Sequence, residues 1–196
     1  MKISGHYFLQ KEHYLCLPRN FWTMESLTIN PHLSKAEIFI EVENYLHELG
    51  FRISAKDMNR PWGGFFVLDE TQILKFKNEF FSEVELSEEQ LEQKLSPKFL
   101  LVAPGARLSW QYHFRRAELW KLIAGTSAIS KSHTDEQGPV EVMNLGEVVS
   151  LEKGQRHRLI GANNWGIVAE IWMHSDPTHP SDENDIVRLQ DDYSRK

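Results

Sequence analysis

The chain holds a single cysteine, Cys16, in 196 residues. One thiol excludes a disulfide framework and a thiolate zinc site, and it fits a reducing, cytoplasmic compartment. Long apolar runs are missing too. The opening MKISGHYFLQKEHYLCLP is interrupted by His, Gln, Lys and Glu before it reaches signal-peptide length, and no later run approaches a membrane span. No membrane partner is therefore expected. Positive charge is in deficit, with 22 Lys and Arg against 28 Asp and Glu and a net charge of -6. That balance disfavours wholesale nucleic-acid binding and means that an anionic ligand needs a local cationic site. Internal repeats and low-complexity segments are also absent. What remains, at 41% hydrophobic and 26% charged residues, is an ordinary soluble globular composition, long enough for one domain with a sizeable core.

The first 33 residues mix aromatic and polar residues without a clean period. The segment SKAEIFIEVENYLHELG then predicts a helix over about 35–49. Ser34 and Glu37 form a capping box, Phe39, Val42, Leu46 and Leu49 share a stripe, and Gly50 closes it. A shorter helix is expected in SEEQLEQKLSP, capped by Ser87 and Gln90, with Pro97 past its end. From about residue 62 the chain breaks into short β-branched or aromatic runs, divided by turn signals such as WGG, PGA, AGT, EKGQ and ANNWG. Expected strands include FFVLD, QILKF, KFLLVA, RLSWQYHF, ELWKLIA, SAISKS, EVVSL, HRLIG and IVAEIWMH. Such spacing predicts an all-β-dominated sandwich or barrel.

Within LSWQYHFRRAELWKLIAG, strand alternation puts Arg107, Ser109, Gln111, His113 and Arg115 on one face and Leu108, Trp110, Tyr112 and Phe114 on the other. Glu118 can return to the polar side after a bend at Arg116 and Ala117. His157 begins a later strand behind the turn at Gly154. Nitrogen and oxygen donors converging from several strands suit a divalent ion such as zinc, manganese, iron or nickel. The structural alternative is four polar residues bonded to one another in a core.

These spacings resemble the two motifs of the cupin family. Gln111-x-His113, four residues, Glu118, six residues and Gly125 match the first, with Gln in place of its leading His. Gly146, five residues, Glu152, Lys153, Gly154, two residues and His157 match the second. RPWGG, PGARLSWQYH, RAELW, GT, HRL and DIVRLQDDYSR narrow the resemblance to the cupin domain of type II mannose-6-phosphate isomerases, often fused to mannose-1-phosphate guanylyltransferase. The first sixty residues contain no Gly-rich phosphate loop, so no nucleotidyltransferase domain is expected there.

The resemblance implies a cupin fold, a jelly-roll-like double-stranded β-helix. Residues 61–196 would form its barrel with the C-terminal tail folded back, and residues 1–60 an N-terminal extension with one α-helix. It implies one divalent metal ion, zinc first, held by Gln111, His113, Glu118 and His157. It also implies a metal-dependent sugar or sugar-phosphate isomerase working through an enediol, the alternative being a metal- or sugar-binding module without catalysis. Glu170 is the candidate general base, or else the partner of Arg107 or another cavity cation. Trp120 either stacks on a sugar or packs in the core. Arg188 either reaches the cavity mouth or pins the tail. Arg115 stands where the family commonly has a His. It would grip an anion, replace the metal, or bend outward at the strand end. Arg156 and Arg158 should face away from His157 as surface or interface residues, and the remaining histidines show no ligand spacing. The aromatic row of Trp110, Tyr112 and Phe114 needs cover from the 35–49 helix or a second subunit, so a homodimer is expected.

Overall fold

The computed structural model describes residues 27–195. Cys16, His6 and His13 lie outside the described residues. Helix α1 (Lys35–Glu48) starts at the expected capping box. Ser34 Oγ accepts from the Glu37 amide, and Glu37 Oε2 accepts from the Ser34 amide at 2.8 Å. It buries Ile38, Phe39, Val42 and Leu46 and ends before Gly50, whose φ of +73° suits glycine.

Strand β1 (Ile53–Asp57), which the sequence pattern did not signal, pairs antiparallel with β2 (Gly63–Leu68). QILKF, expected as a strand, is helical instead. Asp69 accepts from the Thr71 amide to start a 3-10 turn at Glu70–Gln72, which runs into α2 (Ile73–Phe80). The spacing of Phe76 and Phe80 explains the difference: four residues apart, they reach one face together and pack against Phe51 and Phe99, while Leu74 points to solvent. Helix α3 (Glu88–Glu92) has the Ser87/Gln90 capping box but stops short of the expected end, because β3 (Leu95–Val102) takes over. Pro97 lies inside β3 opposite Ile171.

The remaining strands are β4 (Trp110–His113), β5 (Arg116–Ser132), β6 (Val140–Val142), β7 (Val148–Leu151), β8 (Arg156–His174) and β9 (Ile186–Gln190). Hydrogen bonding runs in the order β1-β2-β3-β8-β4-β9, and β5 joins β6, β7 and β8 off that path. This is the mostly β architecture expected, with a sheet that is not closed into a ring. The long pair β5 and β8 runs from Arg116↔His174 to Ser132↔Arg156, shifting register beside Gly125 and Gly166. A Cβ on Gly125 would stand 1.7 Å from the Trp165 carbonyl oxygen, so only glycine lets the two backbones approach there.

Two apolar clusters result. One lies under α1 and α2 around Phe39, Phe66, Phe76, Phe99 and Ile171. The other, inside the bent sheet, gathers Trp62, Leu100, Leu108, Trp120, Leu159 and Val168 and carries the cavity described below. The cover expected for the aromatic row is not α1, which packs on another face. Trp110 is buried and donates from Nε1 to the Asp135 carbonyl at 2.7 Å, and Tyr112 lies under the Arg156 guanidinium. Only Phe114, 61% exposed, keeps the uncovered character on which the dimer expectation stood. Among the described residues no helix is long and apolar enough to cross a membrane.

Phe76 is fully buried among four phenylalanine rings. Phe76→Ala is expected to cost about 3–5 kcal/mol in urea unfolding, whereas Leu74→Ala on the exposed side of α2 should stay within about 0.5 kcal/mol. Equal costs would contradict the helical assignment of this segment.

Candidate functional site

Antiparallel pairing brings the donors together. β4 carries Gln111 and His113, β5 carries Glu118, and β8 places His157 directly opposite Gln111. One ligand atom from each of His113, Glu118 and His157 lies within 4.8 Å of the other two, and all three residues are buried. His157 Nδ1 lies 2.9 Å from the Gln155 carbonyl oxygen, which can only accept, so a proton belongs on Nδ1 and Nε2 is the ring nitrogen turned to the centre. Nε2 lies 3.3 Å from Glu118 Oε2, and among the described residues neither atom has a hydrogen-bond partner. A buried carboxylate oxygen facing an imidazole nitrogen in this way is balanced by a positive charge between or beside them, carried by a proton on the ring or by a metal ion. Gln111 lines the neighbouring cavity, and its Oε1 accepts from Ser109 Oγ at 2.6 Å.

A guanidinium already stands at this centre, and it is not the one that alternation pointed to. The chain bends at Phe114 and Arg115, and β5 begins at Arg116. Arg115 therefore turns outward, to Asp182 Oδ1 at 3.2 Å, His179 and Asp185, which corrects its expected inward placement. The Asp185 carboxylate holds the bend by accepting from the Phe114 and Arg115 amides. Arg116 points inward with Glu118 and Trp120 and is 1% exposed. Its Nε donates to Glu118 Oε1 at 2.7 Å and its Nη2 to His113 Nε2 at 3.0 Å.

The adjoining cavity has a volume of about 520 Å³ including its mouth. Trp62, Phe65, Trp120 and Trp172 form its aromatic walls, and Arg60, Lys98, Arg116, Arg188 and Arg195 bring positive charge to it. Glu118, Glu170 and Glu183 oppose them, so cations outnumber carboxylates here although the chain as a whole is acidic. Arg60 is engaged by Asp57 at 2.8 Å and Arg195 by Asp191. Lys98 is different. It is buried on β3 opposite Glu170, its ammonium lies over the Trp172 ring, and among the described residues it has no hydrogen-bond acceptor. The indole nitrogens of Trp62 and Trp172 are likewise buried without partners.

Burial dominates the electrostatics. It pushes His113 down to about 3, against the pull of Glu118, so its imidazole is neutral. For Glu118, burial opposes ionisation, but the fixed charge of the adjoining Arg116 guanidinium outweighs it and holds the carboxyl well below the usual range. Burial and the Glu118 charge raise Glu170 to about 7, with Lys98, Arg116 and the Trp120 indole acting the other way. Burial lowers Lys98 to about 8 despite Glu170.

Of the other residues singled out by sequence, Glu170 lines the cavity and accepts from Trp120 Nε1 at 2.8 Å. Trp120 is 1% exposed and meets the His157 ring edge-on, so it is at once core and cavity wall. Arg188 on β9 lines the cavity. Arg107 does not, since the backbone at 108 and 109 leaves strand geometry and turns its side chain outward to a paired contact with Asp192. Arg156 binds Asp135, but Arg158, expected at the surface, is 1% exposed and donates to Gln137 and the Gln190 carbonyl. Sequence reasoning missed Lys98 and Arg116. Alternation carried back from Glu118 finds Arg116, and a lone lysine inside LSPKFLLV was the available signal for Lys98.

A family model described as mannose-6-phosphate isomerase C-terminal matches residues 84–191. A mannose-1-phosphate guanylyltransferase of Salmonella montevideo is 30% identical over 156 residues, 80% of this chain and 26% of that protein. The alginate biosynthesis protein AlgA of Pseudomonas aeruginosa is 28% identical over 139 residues, 71% of this chain and 23% of that one. The chain thus spans about a quarter of the length of these relatives. Among solved structures, an oxalate decarboxylase of Bacillus subtilis aligns over 69% of this chain and 30% of its own, with 15% identity and a TM-score of 0.48. The Salmonella relatives are named for guanylyl transfer, which overturns the expectation of a sugar-phosphate isomerase. They are enzymes, and the isomerase reading of this chain is set aside.

Glu170 generates a pH test. Its carboxyl titrates higher folded than unfolded, so the unfolded chain releases that proton first and the stability it contributes is lost as pH rises from about 4.5 to about 7. Glu170→Gln keeps an acceptor for Trp120 and is expected to lose that slope. Melting temperatures of the two proteins should diverge between pH 5 and pH 7.5, with the variant relatively more stable at the upper end. A difference that stays constant across this range counts against a buried, raised carboxyl.

Proposed function

The chain belongs to the family described as mannose-6-phosphate isomerase C-terminal, and on that footing we propose that it binds a sugar phosphate of the mannose phosphate class, together with a divalent metal ion, in the service of guanylyl transfer. The chain's share in that process is recognition of the phosphorylated sugar. The observation that carries the reading is Lys98, a buried lysine with no hydrogen-bond acceptor among the described residues, facing an aromatic cavity beside an electron-rich donor cluster. An ammonium in such a place needs a counter-anion, and a phosphate supplies one.

The residues fit a metal. His157 Nε2 and Glu118 Oε2 are buried and face each other at 3.3 Å, and His113 Nε2 is a neutral imidazole acceptor within reach of the same point. Two imidazoles and a carboxylate form a set that zinc takes readily, and manganese, iron or nickel also accept it. When bound, the ion supplies a Lewis-acid contact to a sugar oxygen. The chain does the rest. Lys98 and Arg188 hold the phosphate, the indole N–H groups of Trp62 and Trp172 meet hydroxyls, and the aromatic walls exclude water so that these contacts act in a low dielectric.

Calorimetric titration tests the reading. Mannose 1-phosphate or mannose 6-phosphate should bind at least about tenfold more tightly than mannose, a difference of about 1.4 kcal/mol. Lys98→Met should remove most of that preference, and wild-type affinity should weaken as pH rises above about 8, where Lys98 loses its proton. Equal binding of sugar and sugar phosphate, or a Lys98→Met protein that keeps the preference, would sink the proposal.

A further inference from the structure

Arg116 is bonded to two of the residues that a metal would use, holding His113 by the nitrogen that would ligate and Glu118 by the oxygen turned away from His157. Nε donates to Glu118 Oε1 and Nη2 to His113 Nε2, while Nη1 reaches Ser181 Oγ at 2.7 Å and the guanidinium carbon lies 3.6 Å from the Trp172 ring centroid. A carboxylate oxygen has two lone pairs and can serve two partners. An imidazole nitrogen has one, in the plane of the ring. His113 Nε2 can therefore accept the Arg116 hydrogen bond or ligate a metal, but not both. The other ring nitrogen offers no substitute, because Nδ1 must carry the proton whenever Nε2 acts as an acceptor. Arginine cannot leave by losing its charge, so it can only leave by moving.

We propose that Arg116 is a resident cation that competes with the metal for His113 and Glu118, and that loading the metal on all three donors requires its guanidinium to swing away from His113 Nε2. This rests on the metal-binding reading above. Without metal, Arg116 satisfies the buried Glu118 carboxylate, which keeps the three donors assembled. With metal, that role passes to the ion, and the guanidinium remains on the Trp172 ring and Ser181, on the cavity side. Arg116 thus sets the threshold concentration at which the site loads. Its other anchors belong to the 181–185 segment, where Ser181 Oγ donates to Asp185 Oδ2, the carboxylate that also holds the bend before β5. Displacement is confined to one side chain because that frame stays in place.

The test measures zinc and manganese affinity by competition with a chromogenic chelator, in wild type and in Arg116→Met, with Arg116→Gln as a second variant and circular dichroism to confirm folding. Removal of the competitor is expected to tighten binding at least tenfold in a folded variant. Wild-type crystals soaked in Mn²⁺ need no variant. They should show the ion on His113, Glu118 and His157, with the Arg116–His113 hydrogen bond broken. Metal affinity in both folded variants that is equal to or weaker than that of the wild type, or a soaked crystal with the ion in place and Arg116 still donating to His113, overturns the competition and leaves the metal-binding reading standing. Failure of wild type and both variants to bind either ion overturns the two together.

Discussion

Glu118 carries a negative charge with 1% of its surface exposed, and the arrangement around it follows from the need to balance that charge. An unpaired buried carboxylate is costly enough that it would protonate or unfold the site. Arg116 supplies the balance on one oxygen. The other oxygen faces His157 Nε2 at 3.3 Å and has no hydrogen-bond partner among the described residues, so that side of the carboxylate is open to a second positive charge. The same charge reaches further, raising Glu170 and supporting the charge on Lys98, both buried on the far wall. Removal of Glu118 therefore does more than take away one donor: it alters the field at Glu170, Lys98 and His113 together.

The scaffold suits this task because its donors come from strands and not from loops. β8 pairs with β3, β4 and β5 at different points along its length, so a single strand fixes His157, Glu170, Trp172 and His174 relative to the rest. Behind the site, His174 Nδ1 accepts from the Ser181 amide and its Nε2 meets Ser96 Oγ at 3.0 Å, tying the tail segment to β3. Burial holds His174 neutral at about 4, which suits these roles across the ordinary pH range. Side chains mounted in this way keep their geometry more closely than those on mobile connections.

Much of this was legible in the sequence. The spacing brought His113, Glu118 and His157 to one point, with Gln111 on the adjoining cavity wall, because alternation and turn signals are local properties of the chain. The capping boxes at Ser34 and Ser87 were readable for the same reason. The errors also have local causes. Placing the bend at Arg116 and not at Phe114 and Arg115 exchanged two adjacent arginines, since a shift of one residue reverses the face of every side chain. QILKF has the composition of a strand, and only the packing of Phe76 and Phe80 against residues distant in sequence decides for a helix. Lys98 was overlooked because nothing near it in sequence indicates that Glu170 and Trp172 will become its neighbours. Arg107 and Arg158 were misplaced where β regularity lapses or where the surface is covered by the tail.

β4, the strand that bears Gln111 and His113, has no hydrogen-bonded neighbour close to it in sequence. On one side it pairs with His157 of β8 and on the other with Ile186 to Gln190 of β9. While a ribosome is extending the chain, residues 110–113 must wait with both edges bare until those later segments emerge. The nascent protein therefore passes through a stage in which strand edges and aromatic side chains are open to other chains, a period in which chaperone contact is most useful. High contact order of this kind slows folding, and it concentrates the risk of misassembly on the very strand that holds the site.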